Sequence, residues 1–226
     1  MHSKIIIYHW CYKLNIKILS ISDGTMILPK DNFDRLYNEI YLKNVYDKFR
    51  ELKKTDIVID IGAHAGLFTL KAARRCKLVI SIEPNISNYD LLDCNVLNNK
   101  LNNVNSLNIA ISNFNGTSDL FIGNTSGEHS LERSFKLGSE KVNVRTLDSI
   151  IKELNIEKVD FIKIDGEGSE YNIIKGGVKT LSNKDIYLVI EAHHKSEEVK
   201  AFQKYMETIG YNTDIDLKER IVYAWH

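Results

Sequence analysis

The sequence predicts an α/β fold built on a mixed, mostly parallel sheet, and three features carry that expectation. From residue 57 onward, short β-branched apolar runs alternate with amphipathic helical segments. Strands that are apolar without interruption are buried on both faces, as in a parallel sheet with helical crossovers. The first run passes through two glycines directly into a helix, the local geometry of a ligand loop at a strand end. The chain finishes in two short strands around a tight turn, which implies an antiparallel close.

Ahead of the alternation, Leu14, Ile16 and Ile18 alternate with Asn15 and Lys17 at period two. Ser22-Asp-Gly-Thr25 then supplies a turn before Met26-Ile-Leu28. Asp31-Asn32 is placed to cap a helix running to about Leu52, with Phe33, Leu36, Tyr37, Ile40, Tyr41 and Val45 at three-and-four spacing. Residues 1–52 are therefore expected to form a strand-and-helix extension on the acceptor side, and 53–226 the main domain.

Within that domain the expected order is a strand at 57–61, a helix at 67–75 and a strand at 78–82. A helix capped by Ser87 follows to Leu97, then a strand at 104–111 weakened by its asparagines. Strands at 159–164 and 186–190 enclose a helix at 169–180. The last helix, 196–209, carries Val199, Phe202, Tyr205, Met206 and Ile209 on one face. Residues 114–145 depart from the alternation and read as an excursion on the binding side, with β-like pieces at 118–122 and 141–144. The centre of that excursion, Thr125-Ser-Gly-Glu-His-Ser130, is too polar for a core. Residues 211–216 and 220–225 form the closing antiparallel pair.

Composition narrows the function. The 226 residues suit one domain with a short extension, enough for a single core. Thirty Lys+Arg against thirty Asp+Glu give a formal net charge of +0, without the basic footprint of a general nucleic-acid binder. Cys11, Cys76 and Cys94 are too few and too scattered for a disulfide framework or a four-ligand zinc cluster. No apolar run approaches a membrane span, and Lys13 and Lys17 break an N-terminal patch that lacks a cleavage pattern. The expectation is a cytoplasmic protein with neither a nucleic-acid partner nor a membrane span.

The most informative stretch is Asp56-Ile-Val-Ile-Asp-Ile-Gly-Ala-His-Ala-Gly-Leu-Phe-Thr-Leu70. Glycines at 62 and 66 let the backbone approach a ligand, and the loop amides with the helix N-terminus make a polar cradle. Glu83 closes the next strand, where a carboxylate accepts hydrogen bonds from both hydroxyls of a ribose. A dinucleotide and S-adenosylmethionine both suit such a groove, and charge separates them. The pattern Asp60-x-Gly62-x-x-x-Gly66 has His64 where a dinucleotide loop has its middle glycine. An aspartate at the strand end repels a pyrophosphate and attracts an ammonium or sulfonium donor. Ordinary strand-to-helix turns remain the competing account of the glycines.

The same stretch, followed by Ser81-Ile-Glu-Pro-Asn85, Arg145-Thr-Leu-Asp-Ser-Ile150, Phe161-Ile-Lys-Ile-Asp-Gly-Glu-Gly-Ser-Glu170 and Lys175-Gly-Gly177, resembles the FkbM family of S-adenosylmethionine-dependent methyltransferases over roughly residues 35–195. The glycine loop is generic to class I methyltransferases, whereas the Asp-x-Glu-Gly-x-Glu segment is the specific part. The resemblance implies a Rossmann-like seven-stranded sheet with an antiparallel final strand, and O-methylation of a hydroxyl on a sugar, glycan, glycolipid or similar small molecule. It also implies that Asp60, Gly62 and Gly66 line the methionine end and Glu83 holds the ribose. Asn85 would flank the adenosine, with Asn108 and Ala110 near the adenine. His64 reads as a solvent-side loop residue, with contact to the cofactor as the alternative. Gly166 departs from the family, which commonly has an apolar residue there.

In a doubly wound sheet, the strand ends at the switch point converge on the reacting atoms. Asp165 follows the fourth strand; Glu191, His193 and His194 follow the fifth. Glu191 and His193 share a parity. Two readings stand side by side: Asp165 or His193 is a general base for the acceptor hydroxyl, or Asp165, Glu191 and His193 hold Mg²⁺ or Mn²⁺. Glu170 reads as an acid favouring the helix N-terminus, worth about 0.3–1 kcal/mol. Asp165 and Glu167 stand in the glycine-flanked loop, and Lys163 reads as a sheet-face group. Glu39, Tyr41, Tyr46 and residues 126–133 are candidates for the acceptor site.

Two other functions compete. A nicotinamide-dependent oxidoreductase is disfavoured by Asp60, by the missing glycine and by the lack of a Tyr-x-x-x-Lys pair. A non-catalytic module would dock through Ile5-Ile-Ile-Tyr8 and Trp10.

Overall fold

A computed structural model of the chain describes residues 16–31, 33–192 and 196–226. The Ile5-Ile-Ile-Tyr8 and Trp10 patch, Asn32, His193 and His194 lie outside the described residues.

The alternation of apolar runs folds as a seven-stranded sheet. Its strands are β3 (Ile57–Ile61), β4 (Leu78–Ile82), β5 (Val104–Leu107), β9 (Phe161–Ile164), β10 (Tyr187–Glu191), β11 (Asn212–Asp216) and β12 (Ile221–Trp225). Their spatial order is β11-β12-β10-β9-β3-β4-β5. The five strands from β10 to β5 run parallel, while β12 pairs antiparallel with both β10 and β11. This is the class I methyltransferase arrangement that the resemblance implies, and the order reverses between β3 and β9.

Both faces of the sheet are covered, so alternate strand residues feed two cores. Val58, Val79, Phe161, Val189 and Tyr223 pack beneath α2 (Leu67–Ala73) and α3 (Ile86–Asn98). The hairpin β1 (Ile16–Ile21) with β2 (Gly24–Pro29) adds Met26 and Leu28 to that face. Ile59, Ile61, Ile80, Ile162, Ile164, Leu188 and Ile190 pack on the other side. There they meet α4 (Leu147–Glu153), α5 (Glu170–Gly176), α6 (Val178–Leu181) and α7 (Ser196–Thr208). None of the described helices is long and apolar enough to cross a membrane.

Four expectations are corrected. The long first helix is α1 (Phe33–Tyr37) continued by one π-helical turn, Asn38–Leu42. Lys43 N–H closes that turn on the Asn38 carbonyl, and Asn44 adopts a left-handed φ of 51°. Buried Lys71 then draws the chain inward by donating to the Ile40 carbonyl and to Asn44 Oδ1, both at 2.8 Å. The strand expected at 104–111 divides, because the Asn108 amide donates to the Glu83 and Pro84 carbonyls at 2.9 Å. Its far end, β6 (Ala110–Ile111), joins β7 (Gly116–Phe121) and β8 (Ser139–Arg145) in a separate three-stranded sheet that carries the excursion. Asn85 rather than Ser87 caps α3, its side chain accepting from Asn88 N–H. The helix at 169–180 breaks at Gly177 into α5 and α6.

Candidate active site

Several of the residues expected at the cofactor loop, though neither Asp60 nor Gly66, line a cleft above the C-terminal ends of β3, β4 and β9. Gly62, His64, Glu83, Ala110, Asp165 and Glu167 are among the residues on its wall. Gly62 has φ +73°, and a Cβ built there would stand 2.0 Å from the Asp165 carbonyl oxygen. The loop is therefore pressed against the strand end that delivers Asp165, with no room for a side chain. Gly66 has φ +85°, and a Cβ there would meet Leu92 at 2.6 Å. Glycine at these two positions is demanded by both backbone and space.

Glu83 lies one residue past β4, 5% exposed, with one carboxylate edge held by the chain. Oε2 accepts from His64 N–H at 2.8 Å and Oε1 from Asn85 N–H at 3.0 Å. Burial pushes its pKa up to about 7, against the lowering effect of those two amides and of Lys163.

Asp60 is placed differently from expectation. It pairs with Ser81 and Lys163 inside the sheet, is 0% exposed, and is absent from the cleft wall. Thr69 donates to its Oδ2 at 2.7 Å, and Lys163 Nζ stands 3.4 Å from its Oδ1. Its charge is thus directed to a buried lysine rather than to a ligand. Lys163 also donates to the Gly62 carbonyl at 2.7 Å and lies 3.6 Å from Asp165 Oδ2. Burial opposes the ammonium, yet Asp60, Asp165 and Glu191 hold its pKa above the ordinary value. Lys163 is therefore the hub that joins the loop, Asp60 and Asp165.

Asp165, 21% exposed, presents its carboxylate to the cleft. Glu191 does not line it: buried Tyr46 donates to Glu191 Oε1, and burial together with that carboxylate raises the phenol's pKa well above its usual value. Tyr46 is thus a core residue, 2% exposed, not an acceptor-site group. Among the described residues no three His, Cys, Asp or Glu side chains are arranged to hold a metal ion. The third member of the expected set, His193, lies outside those residues.

Two of the expected asparagines stand off the cleft wall. Asn85 caps α3 and donates to Glu140 Oε1 at 2.9 Å, and Asn108 satisfies two carbonyls, so neither amide lines the cleft. Ala110, by contrast, lines it. Glu170 accepts from Gly168 N–H at 3.0 Å ahead of α5, the helix-start role expected of it. Glu167 pairs with Arg133 from the excursion.

The part of the site that sequence reasoning missed is a bridge over the loop. Ser126 donates from both its amide and its hydroxyl to Asp31, each at 2.8 Å, and its carbonyl accepts from Asn88 Nδ2 at 2.7 Å. His64 Nε2 lies 3.0 Å from Ser126 Oγ. The polar 125–130 segment signalled an unusual loop, but partners 95 residues away in sequence leave no local signature.

A family model for the methyltransferase FkbM domain matches residues 60–213. The chain belongs to the FkbM methyltransferase family. Methyltransferase sdnD of Sordaria araneosa is 29% identical over 175 residues, 62% of this chain and 67% of that protein. AMB antimetabolite synthetase AmbE of Pseudomonas aeruginosa is 24% identical over 209 residues, 74% of this chain but 10% of the synthetase. Among solved structures, methyltransferase FkbM from Methylobacillus flagellatus aligns with a TM-score of 0.59 and 21% identity, over 84% of this chain and 48% of its own. The chain therefore spans about half the length of that relative. A Streptococcus mutans protein solved in complex with SAH aligns with a TM-score of 0.50 and 12% identity, over 77% of this chain and 90% of its own. The FkbM-family chain thus has the class I fold with its cleft at the strand ends where β3 and β9 diverge.

Proposed function

We propose that this chain is an S-adenosylmethionine-dependent O-methyltransferase whose acceptor is a hydroxyl of a sugar, glycan or glycolipid. The observation that carries the reading is the cleft wall itself: Glu83 just beyond β4, beside Gly62 and His64 of a loop packed tightly against the Asp165 strand end. A buried carboxylate at this position suits a ribose hydroxyl. A pyrophosphate would instead meet three acids on the wall, Glu83, Asp165 and Glu167, against Arg35.

S-adenosylmethionine, when bound, supplies an activated methyl group on a cationic sulfur. Glu83 binds the nucleoside, Gly62 and Gly66 admit the methionine end, and Ala110 flanks the base. Asp165 is the carboxylate at the end of β9 that takes the proton of the acceptor hydroxyl. Lys163, 3.6 Å away, holds that carboxylate against the loop, so in-line positioning supplies much of the acceleration. The described residues of the 1–52 segment, from Ile16 on, serve as the acceptor-side extension of the 53–226 domain. Support comes from Arg35 and Leu36 on the cleft wall and from Asp31 holding Ser126.

Calorimetric titration with S-adenosylhomocysteine and with NADH tests the donor. Tight binding of the former is expected, and binding of NADH alone would overturn the reading. Incubation of labelled S-adenosylmethionine with a cell extract, with and without EDTA, tests the acceptor by mass spectrometry of the labelled product. A methyl ether on a carbohydrate is expected, and a label on nitrogen or carbon would sink the acceptor class.

A further inference from the structure

His64 sits in the cofactor loop with φ 52°, and its amide and one ring nitrogen are accounted for. Its amide donates to Glu83 Oε2 at 2.8 Å. Its Nε2 is 3.0 Å from Ser126 Oγ, and that contact has only one polarity. The Ser126 hydroxyl has a single proton, which it donates to Asp31 Oδ1 at 2.8 Å. Ser126 Oγ therefore accepts from His64 Nε2–H. A neutral imidazole protonated at Nε2 keeps a lone pair on Nδ1. Burial lowers the His64 pKa to about 4, so the ring is neutral near pH 7.

That Nδ1 is buried and has no hydrogen-bond partner among the described residues. A bare acceptor is rare in a native interior, because nothing offsets the loss of its hydration. His64 also lines the cleft beside Glu83. A ribose presents two adjacent hydroxyl donors, and here two acceptors are tied together by the His64 amide. Resting on the donor reading above, we infer that His64 Nδ1 is a ribose-recognition group, accepting from one hydroxyl of the adenosyl donor while Glu83 accepts from the other. Ser126 and Asp31 are positioning residues in this arrangement: they fix the tautomer that leaves Nδ1 able to accept.

The test uses calorimetry with S-adenosylhomocysteine and its 2′-deoxy and 3′-deoxy analogues on wild type, His64→Gln and His64→Asn. Glutamine keeps a donor where Nε2–H stands and removes the Nδ1 lone pair, whereas asparagine places an oxygen near Nδ1 and suits the left-handed backbone. Wild type is expected to bind both analogues more weakly than S-adenosylhomocysteine, about tenfold for the one that lacks the hydroxyl facing His64, the loss of one hydrogen bond. His64→Gln should bind S-adenosylhomocysteine about tenfold more weakly and lose the further penalty for the analogue without the hydroxyl facing residue 64, and His64→Asn should regain part of both. Equal discrimination by wild type and His64→Gln overturns the inference while leaving the donor reading intact. No binding of S-adenosylhomocysteine to wild type would instead bring down the donor reading and the inference with it. Nitrogen NMR of the wild-type ring gives a readout that needs no variant. Nε2 should carry the proton, and the Nδ1 resonance should move upfield on saturation. A proton on Nδ1 in the free protein, or an unmoved resonance, also overturns the inference.

Discussion

Asp60 and Glu83 look alike in the sequence, each an acid at the end of a β-branched run, yet the fold gives them opposite surroundings. Ile61 lies opposite Ile82, so Asp60 is still within the ladder while Glu83 is one residue beyond it. That small offset buries Asp60 between Thr69 and Lys163 and leaves Glu83 on the cleft wall. Depth along a strand, rather than residue type, decides whether a carboxylate organises the sheet or faces the cleft.

Lys163→Met should separate the two most sharply. It removes the cation from beside a fully buried Asp60, at a cost of about 3–5 kcal/mol, read as a fall in the denaturant midpoint. An unchanged midpoint would mean that Asp60 has another counter-charge. The second expectation concerns pH. Glu83 has a folded pKa of about 7, above the ordinary carboxylate value of 4.5. The folded state then binds the proton more tightly than the unfolded state. The resulting stabilisation is fully present below pH 4.5 and is lost as pH rises through 7, about 3 kcal/mol in all. Melts of the ligand-free protein across that range should show the slope, and Glu83→Gln should remove this component of it.

Binding sharpens the contrast further. Glu83→Gln should weaken S-adenosylhomocysteine about 10–100-fold, through loss of charge-assisted hydrogen bonds. Asp60→Asn should lower stability by more than it lowers affinity. Calorimetry and thermal melts on the same two variants check this pair, and the reverse ordering would place Asp60 on the ligand. The smallest effect belongs to Asn85→Ala, which should cost about 1 kcal/mol of stability through loss of the α3 cap and leave affinity within about twofold, as expected when no direct ligand contact is removed.

The parallel sheet was legible because its runs, such as Ile57–Ile61 and Phe161–Ile164, are apolar on both faces. Gly62, Glu83, Ala110 and Asp165 were placed near the cleft by one rule, that ligands gather at strand ends. The rule failed where a side chain had a closer task. Asn85 and Asn108 stand at strand ends, but short amides readily satisfy nearby backbone groups, and these two do so. The first helix was overextended because its interruption depends on Lys71, which arrives from a different helix. The Asp31–Ser126–His64 bridge was unreadable for the same reason: it joins three segments with no common local pattern.

The absent side chain at Gly62 has a consequence for engineering. Main chain touches main chain there, so the spacing between the nucleoside cradle and the Asp165 strand end is set by backbone rather than by exchangeable side chains. The rim formed by the 122–138 loop can accordingly be redesigned to admit new acceptors without resetting that spacing, provided the Ser126 anchorage is kept.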